Sequence, residues 1–183
     1  MENGAEVSNY PVQGDTTIKE TSSAQKLPQD IVSLLTERMA DEFSAHYFYM
    51  NSANWCKNAG YFKAGKFFEK ESLDELEHAN GIQDYLTQWN VYPDIPQVKT
   101  KFDIQSLPEI VKTAYSLEYD LFTKYNQTSR TILAKDPSTF DFLGKYREIQ
   151  NKSVAEYSDL LSVLDLIDPS NKFELLYFEN NYF

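Results

Sequence analysis

The chain has 183 residues, 42% of them hydrophobic and 25% charged, enough for one domain to bury a full core without disulfides or a structural metal. With 28 acidic against 17 basic residues its formal charge is −11, which excludes a nucleic-acid or anionic-membrane partner and favours cations. The single cysteine, Cys56, excludes an intrachain disulfide. No apolar run approaches the roughly 18 residues of a membrane span and no signal or transit pattern opens the chain, so a cytoplasmic protein is expected.

Residues 1–26 are polar, rich in Ser, Thr, Gln and Glu, and without apolar periodicity, which reads as a tail outside the folded domain. Four long stretches follow in which apolar residues recur at steps of three and four: Pro28 to Lys57, Tyr61 to Trp89, Leu107 to Ala134 and Thr139 to Ile167. At 1.5 Å per residue each makes a helix near 42 Å long. Asn58-Ala59-Gly60 is too short a link for anything but antiparallel neighbours. Ser106-Leu107-Pro108-Glu109 reads as a capping box with proline in the first turn, and Asp136-Pro137 breaks the third helix from the fourth. Between the second and third helices, Asn90 to Gln105 carries Pro93 and Pro96 and is long enough to run the length of a bundle. The expected fold is all-α: a four-helix bundle over 27–167 with one long crossover, then a short fifth helix within 168–183.

Each apolar line carries a polar residue near its middle. On the first helix the line is Leu35, Met39, Glu42, His46, Tyr49, Ala53, Cys56. On the second it is Phe68, Glu71, Glu75, His78, Ile82, Tyr85, Trp89, with Glu75-x-x-His78 one turn apart. On the third, Glu118 is the only charge among Val111, Ala114, Leu121, Tyr125, Thr128 and Ile132. On the fourth, Gln150 is the polar member of Phe140, Leu143, Tyr146, Val154, Tyr157 and Leu161. A lone Glu on such a line commonly sits at a helix edge with its head in water, and one Glu-x-x-His is a frequent coincidence. Three carboxylates turned inward together would repel one another and resist ionisation. Divalent cations reverse that cost, because carboxylates can bridge and cap the ions while the imidazole supplies a nitrogen.

At these residues the sequence resembles the bacterial non-haem ferritins. The anchors are Leu35-Thr-Glu-Arg-Met39, Glu42, Tyr49, Trp55-Cys56, Asp74-Glu75-Leu76-Glu77-His78-Ala79, Asp84-Tyr85-Leu86, Glu118, Phe140-Asp-Phe-Leu143, Gln150 and Leu176-Tyr-Phe178. The resemblance implies an iron-storage protein with ferroxidase activity. Glu42, Glu75 and His78 would hold the first iron, Glu75 would bridge to a second iron held by Glu118, and Gln150 would lie beside that second iron. Tyr49 matches a tyrosine near the centre that assists electron transfer or hydrogen bonding. It further implies two irons per subunit, Fe(II) with dioxygen or hydrogen peroxide as reactants, and a hollow homo-oligomeric cage, a 24-mer. A storage shell without a fast oxidation step is the alternative, and a DNA-protecting mini-ferritin a second.

Departures from the relatives shape further expectations. The fourth helix reads Gln150-Asn151-Lys152-Ser153 where a haem-binding bacterioferritin or a rubrerythrin has a second Glu-x-x-His, and Leu76 stands where a haem-ligating methionine falls, so no haem is expected. Ile149, Lys152 and Ser153 take the places of the acids that bind a third iron in many bacterial ferritins, leaving only Asp74 of that set. His46, Asp74 and Asp141 are further candidates for iron contact, Asp74 and Glu77 for seeding mineral. The fifth helix, which lines the four-fold axis in the family, is expected to be short.

Overall fold

The computed structural model describes residues 23–183; most of the expected tail, 1–22, lies outside the described residues. The order is α1 (Gln29–Ala59), α2 (Phe62–Gln88), α3 (Leu107–Ile132), α4 (Pro137–Leu164) and α5 (Lys172–Tyr182), with no strand among the described residues. Local chemistry sets the ends. Gly60 adopts φ 91°, the left-handed conformation a side chain would resist, which lets the Tyr61 amide donate back to Cys56 O at 2.8 Å and close α1. Asn90 does the same for α2 with φ 59°, Val91 N donating to Leu86 O at 3.0 Å.

Ser106 Oγ accepts from Glu109 N at 3.2 Å, as a capping box requires. Glu109, however, reaches one residue further back than expected, accepting from Gln105 N at 2.8 Å. The fourth helix starts earlier than its apolar pattern predicts: Asp136 accepts from Thr139 N at 2.8 Å and Pro137 occupies the first turn, where its missing N–H costs nothing.

Helices α1 and α2 pack as one antiparallel pair, α3 and α4 as another, with α1 also against α3. Val91 to Ser106 crosses over the outside of α1 without regular structure. It is held where Asn51 Nδ2 donates to Thr100 O at 3.0 Å and Phe102 meets Phe48 edge to face at 5.4 Å. That route starts α2 and α3 from the same end, the expected single-crossover bundle. No described helix is long and apolar enough to cross a membrane.

The core is two clusters end to end. One gathers Phe48, Tyr49, Phe68, Leu121 and Tyr157, the other Leu35, Met39, Ile82, Tyr125, Leu143 and Tyr146. On α1 the expected line is buried throughout. On α2 it is rotated: the buried stripe runs Phe68, Ser72, Glu75, Ala79, Ile82, Leu86, while Glu71, His78 and Tyr85 lie along its edge. That edge faces α4, where Tyr85 stacks on Phe142 at 3.9 Å and its hydroxyl bonds Thr139 Oγ1 at 2.9 Å. Small Ser72 and Ala79 are what let α1 approach. Both lines fit a three-and-four spacing, so spacing alone does not choose between them.

Candidate metal centre

Glu42, Glu75 and Glu118 are all buried where the two clusters meet, with Gln150 beside them. The antiparallel pairing of α1 and α3 gives two of these carboxylates matching partners. Tyr49 donates its hydroxyl to Glu118 Oε1, and Tyr125 donates its hydroxyl to Glu42 Oε1. Each helix therefore contributes one glutamate and, two turns on, one tyrosine. Burial and the neighbouring carboxylates push both phenols well above their ordinary range, so both remain donors.

From α2, Glu75 Oε2 lies 2.9 Å from His78 Nδ1. Glu42, Glu75 and His78 each offer one ligand atom within 4.8 Å of the others. Glu118 is not in that triad. Its Oε1 is taken by Tyr49 and, with the Gln150 amide turned so that its nitrogen donates, its Oε2 accepts from Gln150 at 3.0 Å. Glu42 is different: no donor among the described residues reaches its Oε2, although the residue is wholly buried. A buried carboxylate oxygen without a donor is costly, and either a proton shared with Glu75 or a bound cation resolves that cost.

Burial, then the Glu75 charge, pushes the Glu42 carboxyl well above the usual carboxylate range. Glu75 is raised by burial and by Glu118. Glu118 is raised to about 8 by burial, against the lowering hydrogen bond from Tyr49. Without a cation the cluster holds protons. A mixed set of carboxylate oxygens and one imidazole nitrogen suits a divalent first-row ion, which displaces those protons.

A cleft of about 630 Å³ opens between α2 and α4 onto Glu75 and His78. Asp74 lies in its wall, bonded to Lys70 Nζ at 2.8 Å, and Ile149, Lys152 and Ser153 form the α4 side near Glu156. Glu77, at the rim, is exposed. His46, on the expected line of α1, turns instead to α2, where its Nδ1 lies 2.7 Å from Ser72 O while Ser72 Oγ donates to His46 O at 3.1 Å. It ties two helices together outside the triad. Asp141 is exposed, and Leu76 is half-buried next to Glu75.

Tyr125 and a second layer of tyrosines also border the centre, beyond the residues expected from the sequence. Tyr146 stacks on Tyr125 with centroids 5.2 Å apart, and Tyr157 stacks beside Tyr49 at 6.1 Å. Tyr157 also donates to Glu71 at 3.3 Å, whose carboxyl burial raises to about 7. The signal was present as a repeat: Glu42 and Tyr49, Glu118 and Tyr125 have the same spacing on antiparallel helices.

A model of the ferritin-like domain matches residues 32–167, most of the chain. The chain belongs to the ferritin-like family. Among ferritin relatives it is 27% identical over 148 residues to a probable bacterial non-heme ferritin-like protein of Haemophilus influenzae, covering 80% of this chain and 90% of that one. It is also 27% identical over 143 residues to a bacterial non-heme ferritin of Campylobacter jejuni, covering 77% and 86% of the two chains. A bacterial non-heme ferritin of Escherichia coli matches at 27% over 154 residues, 83% and 92%. Among solved ferritin structures, an open-pore ferritin from Archaeoglobus fulgidus superimposes with a TM-score of 0.76 at 19% identity, covering 86% and 98%. A humanized archaeal ferritin gives 0.79 at 19%, covering 86% and 97%. At that identity they share the fold.

Proposed function

We propose that this ferritin-like chain stores iron and oxidises Fe(II) at a centre inside each subunit. The observation that carries the reading is the buried triad of Glu42, Glu75 and His78, with one glutamate oxygen that no donor satisfies. Names carried by relatives at 27% identity agree with it.

Glu42, Glu75 and His78 hold the first Fe(II), with His78 using the nitrogen already turned toward Glu75. Glu75 bridges to a second Fe(II), held by Glu118 with Gln150 alongside. Because Tyr49 and Gln150 already donate to both Glu118 oxygens, the second ion competes with those hydrogen bonds for the carboxylate's charge and binds more weakly. Each ferrous ion gives up one electron. Dioxygen accepts the pair with two protons and becomes hydrogen peroxide, or hydrogen peroxide accepts the pair with two protons and becomes two waters. Cations displace protons from the carboxyls as they bind, which supplies protons next to the oxidant. Ferric product leaves through the α2–α4 cleft to mineralise in a homo-oligomeric shell, and a reducing cytosol suits the free buried Cys56. Haem and a third iron have no part in this reading.

Stopped-flow absorbance after adding two Fe(II) per subunit under oxygen tests it. A rapid phase is expected, absent in Glu75→Ala with helix content unchanged. Equal initial rates in the two proteins would sink the site assignment, and slow oxidation in both would leave a storage shell fed by autoxidation.

A further inference from the structure

Tyr49 and Tyr125 occupy matching places, yet their glutamates end in different states. Glu118 has a donor on each oxygen, whereas Glu42 has one, the Tyr125 hydroxyl on Oε1, and its Oε2 is left free inside the triad. Tyr125 is wholly buried, so its hydroxyl has no water to turn to. Its ring is held in place by Tyr146, parallel to within 5° at 5.2 Å. Tyr146 in turn donates to His78 O at 3.1 Å. That last bond depends on Gly81, where a Cβ would lie 2.8 Å from the Tyr146 hydroxyl. One run of contacts thus joins the carboxylate of Glu42 to the backbone of the helix turn that carries His78.

From this geometry we infer that Tyr125 is a positioning residue that makes Glu42 a one-oxygen ligand. The inference rests on the triad being a metal site. For Glu42 to bind through both oxygens, Oε1 would have to share its charge between the ion and the phenol, weakening a buried hydrogen bond that has no replacement acceptor. With Tyr125 in place the ion at the first site takes one oxygen from Glu42, one from Glu75 and one nitrogen from His78. Positions stay open on the ion for the oxidant and for departure of product. Tyr49 does not set Glu42, because it is committed to Glu118.

Anaerobic titration with Co²⁺ of the assembled, metal-stripped protein tests this, since few-coordinate Co²⁺ absorbs strongly in the visible and six-coordinate Co²⁺ weakly. The wild type is expected to give a strong spectrum for the first equivalent. Tyr125→Phe should lower that absorption and shift its bands as Glu42 closes onto the ion with both oxygens and raises its coordination number by one, while leaving the second equivalent as it was. Tyr49→Phe should change the second equivalent only. Tyr146→Phe keeps the stacked ring and should match the wild type at the first. A first-equivalent spectrum unchanged in Tyr125→Phe overturns the inference, as does an equal change at both equivalents, which is general loosening. If the wild type takes up no Co²⁺, the metal-site reading itself fails. Should Tyr125→Phe not fold, infrared difference spectra of wild type against Glu42→Gln decide. A wide Co²⁺-induced splitting of the Glu42 carboxylate bands marks one-oxygen binding and a narrow one overturns it.

Discussion

Burial disfavours the charged forms of Glu118 and Glu71 and pushes their carboxyls up to about 8 and about 7 in the folded chain, while in the unfolded chain both return to about 4.3. Between those limits the folded protein binds more protons than the unfolded one, so its stability falls as pH rises through the window and levels off above it. Glu42 and Glu75 are raised in the same direction and add to the slope. Metal-stripped protein should therefore melt at a higher temperature near pH 5 than near pH 8, a loss on the order of a few kcal/mol over the interval. Glu118→Gln keeps the shape and removes the titration, so its melting temperature should change less. A thermal-denaturation series in chelator gives both slopes, and identical slopes would place the proton uptake elsewhere. Adding a divalent cation should reverse the trend, since metal competes with the protons that stabilise the stripped protein at low pH.

At the scale of the helix, α2 begins without help from its own sequence: Tyr61, at its N-cap, has no capping side chain. The carboxylate of Glu179 on α5, buried, accepts from Lys63 N at 2.5 Å and from Ala64 N at 3.1 Å and takes that role. Lys63 Nζ donates to Asn180 O at 2.6 Å, and Phe178 packs into the core at the same end. Glu179→Ala should cost about 1–2 kcal/mol, by analogy with the loss of a helix cap, and Glu179→Gln less because an acceptor oxygen remains. Chemical denaturation ranks the three proteins; equal midpoints would mean that α5 docks through its rings alone. Nothing local announces this cap, whose partners are 116 and 115 residues apart in sequence. Features closed within a few residues were legible: the Gly60 turn and the Ser106 box form and Asp136-Pro137 does divide α3 from α4, although the box misses in which amide Glu109 reaches and the cap by Asp136 was not foreseen. Facing was less so. The α2 line drawn through Glu71, His78 and Tyr85 fits the helical period as well as the one through Ser72, Ala79 and Leu86, and only the closeness of α1 chooses between them. His46 fell on a buried line and was open to a metal role for that reason. Its bond to Ser72 depends on the register of two helices, which no single line of residues encodes.

Considered as a whole, the subunit leaves large apolar side chains uncovered where α4 turns into α5. Leu166 is 84% exposed, Phe173 77% and Tyr177 57%, and Phe62 at the start of α2 is 66% exposed. A second set, Tyr92 and Ile95, lies on the crossover, on the outer side of the bundle. Single exposed apolar residues are ordinary, but groups of them on separated faces of one subunit suit an assembly in which each copy meets several others. The net charge of −11 would oppose such an assembly through repulsion unless apolar contact outweighs it, and cations held inside reduce that repulsion. The expected state is a homo-oligomer of roughly twenty-four copies, as the ferritin resemblance implies. Light scattering coupled to size exclusion should give that mass for the wild type. The double variant Leu166→Asp, Phe173→Asp should run as smaller species with its helix content retained, because neither side chain supports the bundle core. A double variant of wild-type mass would show that the α4–α5 corner faces solvent in the assembly, and a wild type of about twelve copies would mean a different shell. If the smaller species still takes up Co²⁺ at its first site, the centre is built within one subunit, as the contacts of Glu42, Glu75 and His78 within a single chain require.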